Sequence, residues 1–368
     1  MKKRICILLL LLLLLCSCGK TGGLLSFDES DGVVTDAAAL YPHVTGDTRT
    51  AYLLRRADDD RSFIATAPDP CAQYETVYTS APGTIIYEIS ADRGVIAFYE
   101  LKLYSDGGVS YTLKTVDTEN GNRVSAAYSK TVSENTGMQT RFLYVLDGYV
   151  YYLTESLLLE RDRVMKYSVS DGTLEEYLSF PLTENKVTSG SSCTFISGHG
   201  GYLTCGTLDG SRCVIRTYDT ATGSLTAERT LPFSVAVVYN CEYDNMTGLY
   251  SLYYMDAQGD EHVGFTTSSD DAAITKCFTF DENSFVDREE VRLYGDAVVF
   301  TVQDQSVQDD PARAFTTYAI YGDGEEKKLS GTHKVFSCGG RYYALSFGKK
   351  TGYSRVYLDE TVIIRGVS

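Results

Sequence analysis

Four histidines, ten cysteines and 49 acidic side chains are the groups of this 368-residue chain that could do chemistry. The histidines fall at His43, His199, His262 and His333, with no two at metal-ligand spacing and no His-Glu-x-x-His run. Neither a Gly-x-Ser-x-Gly elbow nor a phosphate-binding Gly-x-x-x-x-Gly-Lys-Ser/Thr loop occurs, and Gly19-Lys20-Thr21 copies only the tail of the latter. Ser168 to Gly172 and Ser105 to Gly107 miss the spacing of the Asp box of propeller glycosidases and read as β-turns. No cofactor is implied. The densest carboxylates are Asp256, Asp260 and Glu261, then Asp304, Asp309 and Asp310, with Glu155, Glu160 and Asp162 behind them. Brought together on one face, they would suit Ca²⁺ or a basic peptide. Their spacing is not that of an EF-hand, Arg161, Arg163 and Arg313 are interspersed, and Asp58, Asp59 and Asp60 fall on the other face. Solvated loops are therefore the favoured reading.

Beyond residue 18 the cysteines are Cys71, Cys193, Cys205, Cys213, Cys241, Cys277 and Cys338, an odd and scattered set without a Cys-x-x-Cys pair. One pair is singled out by register. If Gly198-His199-Gly200 is a three-residue hairpin loop, Ser197 pairs with Gly201 and Cys193 falls directly opposite Cys205, where a cross-strand disulfide would be strained. A two-residue Asp209-Gly210 turn puts Cys205 and Cys213 on opposite faces.

The elements that position these residues repeat. Gly-containing turns at Arg93-Gly94, Asp147-Gly148, Gly200-Gly201, Thr247-Gly248, Gly295 and Gly339-Gly340 are 54, 53, 47, 47 and 45 residues apart, each followed by an apolar or aromatic strand. A second series at Asn120-Gly121, Asp171-Gly172, Thr222-Gly223, Ser269-Asp270 and Asp323-Gly324 is interleaved at 51, 51, 47 and 54. Two turn series with one period near 50 residues imply four short strands per unit, with units starting near Thr50, Thr84, Thr140, Cys193, Ser234, Arg288 and Thr332. This resembles a β-propeller: all-β, with about seven four-stranded blades (six to eight). The resemblance is architectural, to WD40, YVTN-type and quinoprotein-like repeats, but there is no Trp and Asp-x-x-Thr-Gly is recognised only at Asp219 to Gly223. Strands such as Ala297-Val298-Val299-Phe300, apolar on both faces, favour blades packed between blades over a string of sandwiches. Closure is expected through Thr361 to Gly366 or a strand near Val33-Val34.

The N-terminus resembles a bacterial lipoprotein signal peptide. Lys2-Lys3-Arg4 is followed by an apolar run and then Leu15-Cys16-Ser17-Cys18-Gly19, a lipobox in which Cys18 matches the lipidated position. Cys16 would place bulky Leu15 at the cleavage point. Ile5 to Cys18 spans only about 21 Å as a helix at about 1.5 Å per residue, against a hydrocarbon core of about 30 Å. The expected organisation is therefore signal peptide 1–17, lipidated Cys18 with a flexible tether over 18–47, and propeller over 48–368.

After cleavage, 30 Lys and Arg would face 49 Asp and Glu, a formal charge of −19. Such a field disfavours nucleic acid and anionic surfaces and favours cations or cationic peptides. The expected function is that of a lipoprotein on the extracytoplasmic side of the cell membrane. Its propeller would bind a protein, peptide or small molecule, or scaffold an assembly, without catalysis. The competing expectation is an extracytoplasmic propeller hydrolase or lyase acting on glycans or peptides.

Overall fold

In the computed structural model, residues 43–46, 50–56, 61–68, 74–105, 108–132, 140–156, 161–181, 193–209, 212–267, 275–286, 291–307, 310–338, 341–348 and 352–358 are described. Among them, regular structure other than strand amounts to one helical turn, Pro311–Ala314, and one 3-10 turn, Gln305–Val307. The strands succeed one another in antiparallel units. Unit one holds β1 (His43–Gly46), β2 (Ala51–Arg56), β3 (Ser62–Ala67) and β4 (Glu75–Thr79). Unit two holds β5 (Thr84–Asp92), β6 (Val95–Leu103), β7 (Val109–Asp117) and β8 (Arg123–Val132), and unit three β9 (Thr140–Leu146), β10 (Tyr149–Ser156), β11 (Arg161–Ser168) and β12 (Leu174–Pro181). Units four and five are one seven-stranded sheet, because the 20-residue β16 (Leu225–Asp244) serves both. It closes β13 (Cys193–His199), β14 (Tyr202–Asp209) and β15 (Arg212–Asp219), then opens β17 (Leu249–Asp256), β18 (Glu261–Thr267) and β19 (Thr275–Thr279). In unit six, β20 (Ser284–Phe285) and β21 (Arg292–Tyr294) both pair with β22 (Ala297–Asp304), followed by β23 (Phe315–Tyr321) and β24 (Glu326–Ser330). Unit seven has β25 (Thr332–Cys338), β26 (Arg341–Gly348) and β27 (Gly352–Leu358).

The unit starts at Thr84, Thr140, Cys193 and Thr332 agree with the repeat read from the turns. The start of the array does not: β1 lies inside the segment expected to be a tether, with His43 opposite Leu54. The four residues His-Val-Thr-Gly are too few to show an alternating pattern, so this strand is recognised only by its pairing with β2.

The core lies between sheets. Ile96, Ala97, Phe98 and Tyr99 of β6 are fully buried, as are Val150, Tyr151 and Leu153 of β10, so second strands are covered on both faces. One cluster joins Ile64 of unit one to Ile86 and Phe98 of unit two; another joins Tyr99 and Leu113 of unit two to Leu143 and Tyr152 of unit three. The same face-to-face stacking continues through units three, four and five, five and six, and six and seven. Each such side chain withdrawn from water contributes about 1.5–3 kcal/mol. First strands also meet in series: β1 with β5, β5 with β9, β9 with β13, β13 with β16 and β16 with β21, while β25 touches β1. The arrangement is propeller-like.

A first strand is paired on one side only, and its other edge carries amides that need acceptors. The preceding unit supplies them from alternate side chains of its own first strand. Glu88 Oε1, Ser90 Oγ and Asp92 Oδ2 accept from the amides of Leu143, Val145 and Asp147 at 2.7, 3.0 and 2.9 Å. Glu88 (φ 51°) and Phe142 (φ 56°) are bulge residues in the two strands joined, so the extra residue re-aims each strand where they meet. Unit five repeats the device on unit six: Glu242 Oε2 accepts from Leu293 N at 2.7 Å, and Asn240 Nδ2 donates to Val291 O at 3.0 Å. Arg292 completes it by donating from Nη1 to Glu242 Oε1 at 2.6 Å. Desolvation opposes the Arg292 charge, but buried Glu242 together with Tyr144 and Tyr294 outweighs it and holds the guanidinium protonated more firmly than usual.

Candidate functional site

The acidic loops singled out in the sequence are occupied with holding turns and strands. Asp256 Oδ1 accepts from the amides of Gln258 and Asp260 at 2.9 and 3.0 Å, and Oδ2 meets His262 Nε2 at 2.9 Å. The His262 contact is the chief reason the Asp256 carboxyl titrates below the usual range. His262 lies in β18 rather than in a loop, is buried, and has Nδ1 3.0 Å from Thr279 Oγ1. Glu261 accepts from the hydroxyls of Tyr239 and Tyr253 at 3.0 and 2.6 Å; burial, then this carboxylate, pushes the Tyr239 phenol up to about 12. Asp304 Oδ1 accepts from both the amide and the hydroxyl of Ser306. Asp310 precedes the helical turn and its carbonyl receives the Arg313 and Ala314 amides. Asp162 is buried and accepts from Cys193 N at 2.9 Å, while Glu160 and Asp309 lie outside the described residues. Among the described residues no three acidic, histidine or cysteine side chains gather as a metal site.

The expected Cys193 and Cys205 pairing is corrected. The loop is the two-residue Gly200-Gly201 turn, with φ of 56° and 84°, so His199 faces Tyr202 and Ile196 faces Cys205. A bulge then places Cys193 opposite Thr207, and both cysteines are thiols rather than a disulfide. Two glycines in the left-handed region suit the tight turn that the strand twist prefers, which displaces the longer loop. Burial pushes the Cys205 and Cys241 thiols up, so neither is poised as a nucleophile. The turn after β14 is likewise one residue later than expected, since Asp209 pairs with Arg212, yet Cys205 and Cys213 do fall on opposite faces. Cys18 lies outside the described residues.

A cleft of about 530 Å³ lies where the hairpin turns of units two and three meet, away from the acidic loops. Arg93 comes from the β5–β6 turn, Asp117, Glu119, Asn120 and Arg123 from the β7–β8 turn, and Asp147, Gly148 and Tyr149 from the β9–β10 turn. Val95 and buried Val169 contribute apolar surface. Arg93 and Asp147 occupy the same place in successive two-residue turns, at φ 47° and 51°, each followed by a glycine at φ 79° or 81°. Aspartate tolerates the left-handed region, whereas a long side chain there costs about 1–2 kcal/mol. Arg93 bears that cost where its guanidinium can reach Asp147 at 2.5 Å across the units. Arg123 reaches across too, donating from Nη2 to Val169 O at 3.0 Å while lying 3.6 Å from Asp117 Oδ2. Tyr149 is 36% exposed and carries the Lys166 ammonium 4.2 Å from its ring centroid. The lining is mostly charged and polar, with Val95, Val169 and Tyr149 as its apolar part, so what the cleft offers a ligand is chiefly electrostatic. Sequence reasoning missed it because its members come from four turns, between residues 93 and 170; the one available signal was an arginine in a turn position that favours Asn, Asp or Gly.

No protein-family model and no curated protein matches the sequence. Among solved structures, a prolyl endopeptidase aligns with a TM-score of 0.54 at 13% identity, over 88% of this chain and 47% of its own. A puromycin hydrolase mutant aligns with a TM-score of 0.50 at 13% identity, over 80% of this chain and 48% of its own. The β-propeller domain of the Trilobed protease from Pyrococcus furiosus aligns at 0.46 and 8% identity, over 76% of this chain and 82% of that one. The chain spans about half the length of the first two. Likeness at such identity is a likeness of fold, and the peptidase and hydrolase activities belong to those proteins.

Proposed function

We propose that this chain is a lipid-anchored lipoprotein on the extracytoplasmic side of the cell membrane, whose seven units close into a propeller ring that binds a ligand without transforming it. The cleft between units two and three carries the binding reading: its arginines are already matched to carboxylates, Arg93 to Asp147 and Arg123 to Asp117, an arrangement that orients charge for recognition. Contact between β25 and β1 supports closure. The segments expected to complete it, 361–366 and 33–34, lie outside the described residues. The lipobox at Leu15 to Cys18 supports the anchor, and a chain with 49 acidic against 33 basic side chains fits a partner other than nucleic acid.

Two measurements test this. Cys18→Ser should abolish fatty-acid labelling and move the protein from the membrane to the soluble fraction, whereas Cys16→Ser should change neither; labelling that survives Cys18→Ser refutes the anchor. Two acyl chains are needed, since one gives only marginal membrane affinity. For binding, hydrogen exchange at residues 117–123 and 147–149 should slow when a panel of short peptides and uronic acids is titrated in. A panel that leaves those amides unchanged refutes the cleft as the binding site.

A further inference from the structure

Resting on that reading of the cleft, we infer that its ligand is a short peptide with free termini, held by a carboxylate at one end and an ammonium at the other. The two arginines supply the carboxylate end. Arg93 makes one ion pair and its side chain is 61% exposed, while Arg123 is 49% exposed with Nη2 engaged by Val169 O. Each guanidinium therefore retains N–H donors toward the cleft, and a guanidinium is the side chain best shaped to grip a carboxylate with two parallel bonds.

The same cleft presents carboxylates. Asp147 is 36% exposed on the unit-three side and Glu119 lines the unit-two side. An ammonium group at a second position of the ligand would add to the pairing of these carboxylates, sharing Asp147 with Arg93, whereas an anionic sugar would be repelled by them. Val95, the edge of buried Val169 and the ring of Tyr149, which also carries the Lys166 ammonium, line the same cleft and give a peptide side chain some apolar surface to rest on. The acidic field of the whole molecule points the same way, because it repels a purely anionic ligand and tolerates a zwitterion. The strained backbone at Arg93 fits as well. Asparagine or glycine would relieve that turn but would remove the guanidinium from the cleft mouth.

The purified full chain is titrated with alanyl-phenylalanyl-alanine, with its C-terminally amidated and N-terminally acetylated forms, and with glucuronate, reading hydrogen exchange at residues 117–123 and 147–149. The free peptide should slow exchange there. Amidation should weaken it by about tenfold or more, as expected for loss of a charge-assisted pair, and acetylation should weaken it measurably. Arg123→Gln should weaken the free peptide to the level of the amidated one, with exchange in β10 and β11 unchanged as the check on folding. Equal effects of free and blocked peptides overturn the inference without needing any variant. Protection by glucuronate alone overturns it too but leaves the cleft a binding site. Protection by none of the compounds removes both readings.

Discussion

Gly206 shows how one residue can be fixed by a neighbour far away in the chain. It sits opposite Phe195 across the β13–β14 pair, and a Cβ built on it would lie 2.0 Å from Phe195 Cε1. The ring is fully buried, so it has no room to swing away. Gly206→Ala should therefore destabilise by about 1–3 kcal/mol, the usual cost of overpacking a filled core. The check is a lower urea midpoint at unchanged slope, because an altered slope would instead report a change in the denatured state. Gly198 is similar in kind: a Cβ there would come within 3.1 Å of Tyr144 Cβ from the previous unit. Neither requirement can be read from a glycine flanked by Cys205 and Thr207, or by Ser197 and His199. The closeness arises only when residues 11 or 54 positions apart in the chain meet.

Among the elements, the first strands are the ones whose edges matter. By register Glu242, opposite Ser251, stands where Ser90 stands opposite Ala97, so a carboxylate in unit five and a hydroxyl in unit two accept at the same place in the repeat. Glu88 is an additional acceptor at the unit-two bulge. Replacing Glu88 by Ala removes the acceptor of the Leu143 amide, a loss of about 1–3 kcal/mol for a donor left unsatisfied. Exchange at Leu143 should accelerate while Val145, held by Ser90, changes less; Glu88→Gln keeps an oxygen in place and should restore protection. Equal acceleration at both amides would mean that the strands separate as a whole. The turn motifs repeat as well. Asp219 Oδ1 accepts from the Ala221 and Thr222 amides, and Asp244 from Met246 N and Thr247 Oγ1, each with a glycine amide returning to the aspartate carbonyl. Asp-x-x-Thr-Gly thus occurs at 244–248 as well as at 219–223, once on a turn between first and second strands and once between third and fourth. Pro232 marks the corner where β16 leaves one unit for the next: Arg212 pairs with Ser234 but Val214 with Thr230, so the register shifts around it. Proline donates no ladder bond, and such a break is where it is tolerated.

For the molecule as a whole, stability in acid follows from carboxylates spread through the turns. Hydrogen bonds lower the titration of Asp171 through the Thr173 amide, Asp219 through the Thr222 amide, Asp256 through His262 and Asp304 through Ser306. A carboxyl lowered in the folded state stabilises above its unfolded value, about 3.9 for aspartate, and that contribution is lost as pH falls through the folded value. Thermal midpoints should therefore stay level with respect to these groups from pH 7 to 5 and fall below about pH 4. A midpoint unchanged down to pH 2 would show that the turns do not depend on the charged form. Salt should blunt the effect most at exposed Asp171 and less at the half-buried Asp219, Asp256 and Asp304.

The sequence by itself determined the four-strand period, the unit starts at Thr84, Thr140, Cys193 and Thr332, and the two-faced burial of second strands, because turn chemistry and apolar runs are local signals. The expectation of a lipobox at Cys18 likewise rests on a linear motif, Leu15-Cys16-Ser17-Cys18. The tertiary structure alone decided the rest. A shorter turn placed further along the chain, at Gly200-Gly201, together with a bulge in β13, moved Cys193 from Cys205 to Thr207, since a strand's pairing is set by the turn and bulges it adopts rather than by its own residues. The acidic side chains at Asp256, Glu261 and Asp304 looked available in sequence and proved to be committed to His262, two tyrosines and Ser306. The cleft of Arg93, Arg123, Asp147 and Tyr149 exists only because face-to-face packing of two sheets sets their turns side by side, which no local pattern encodes.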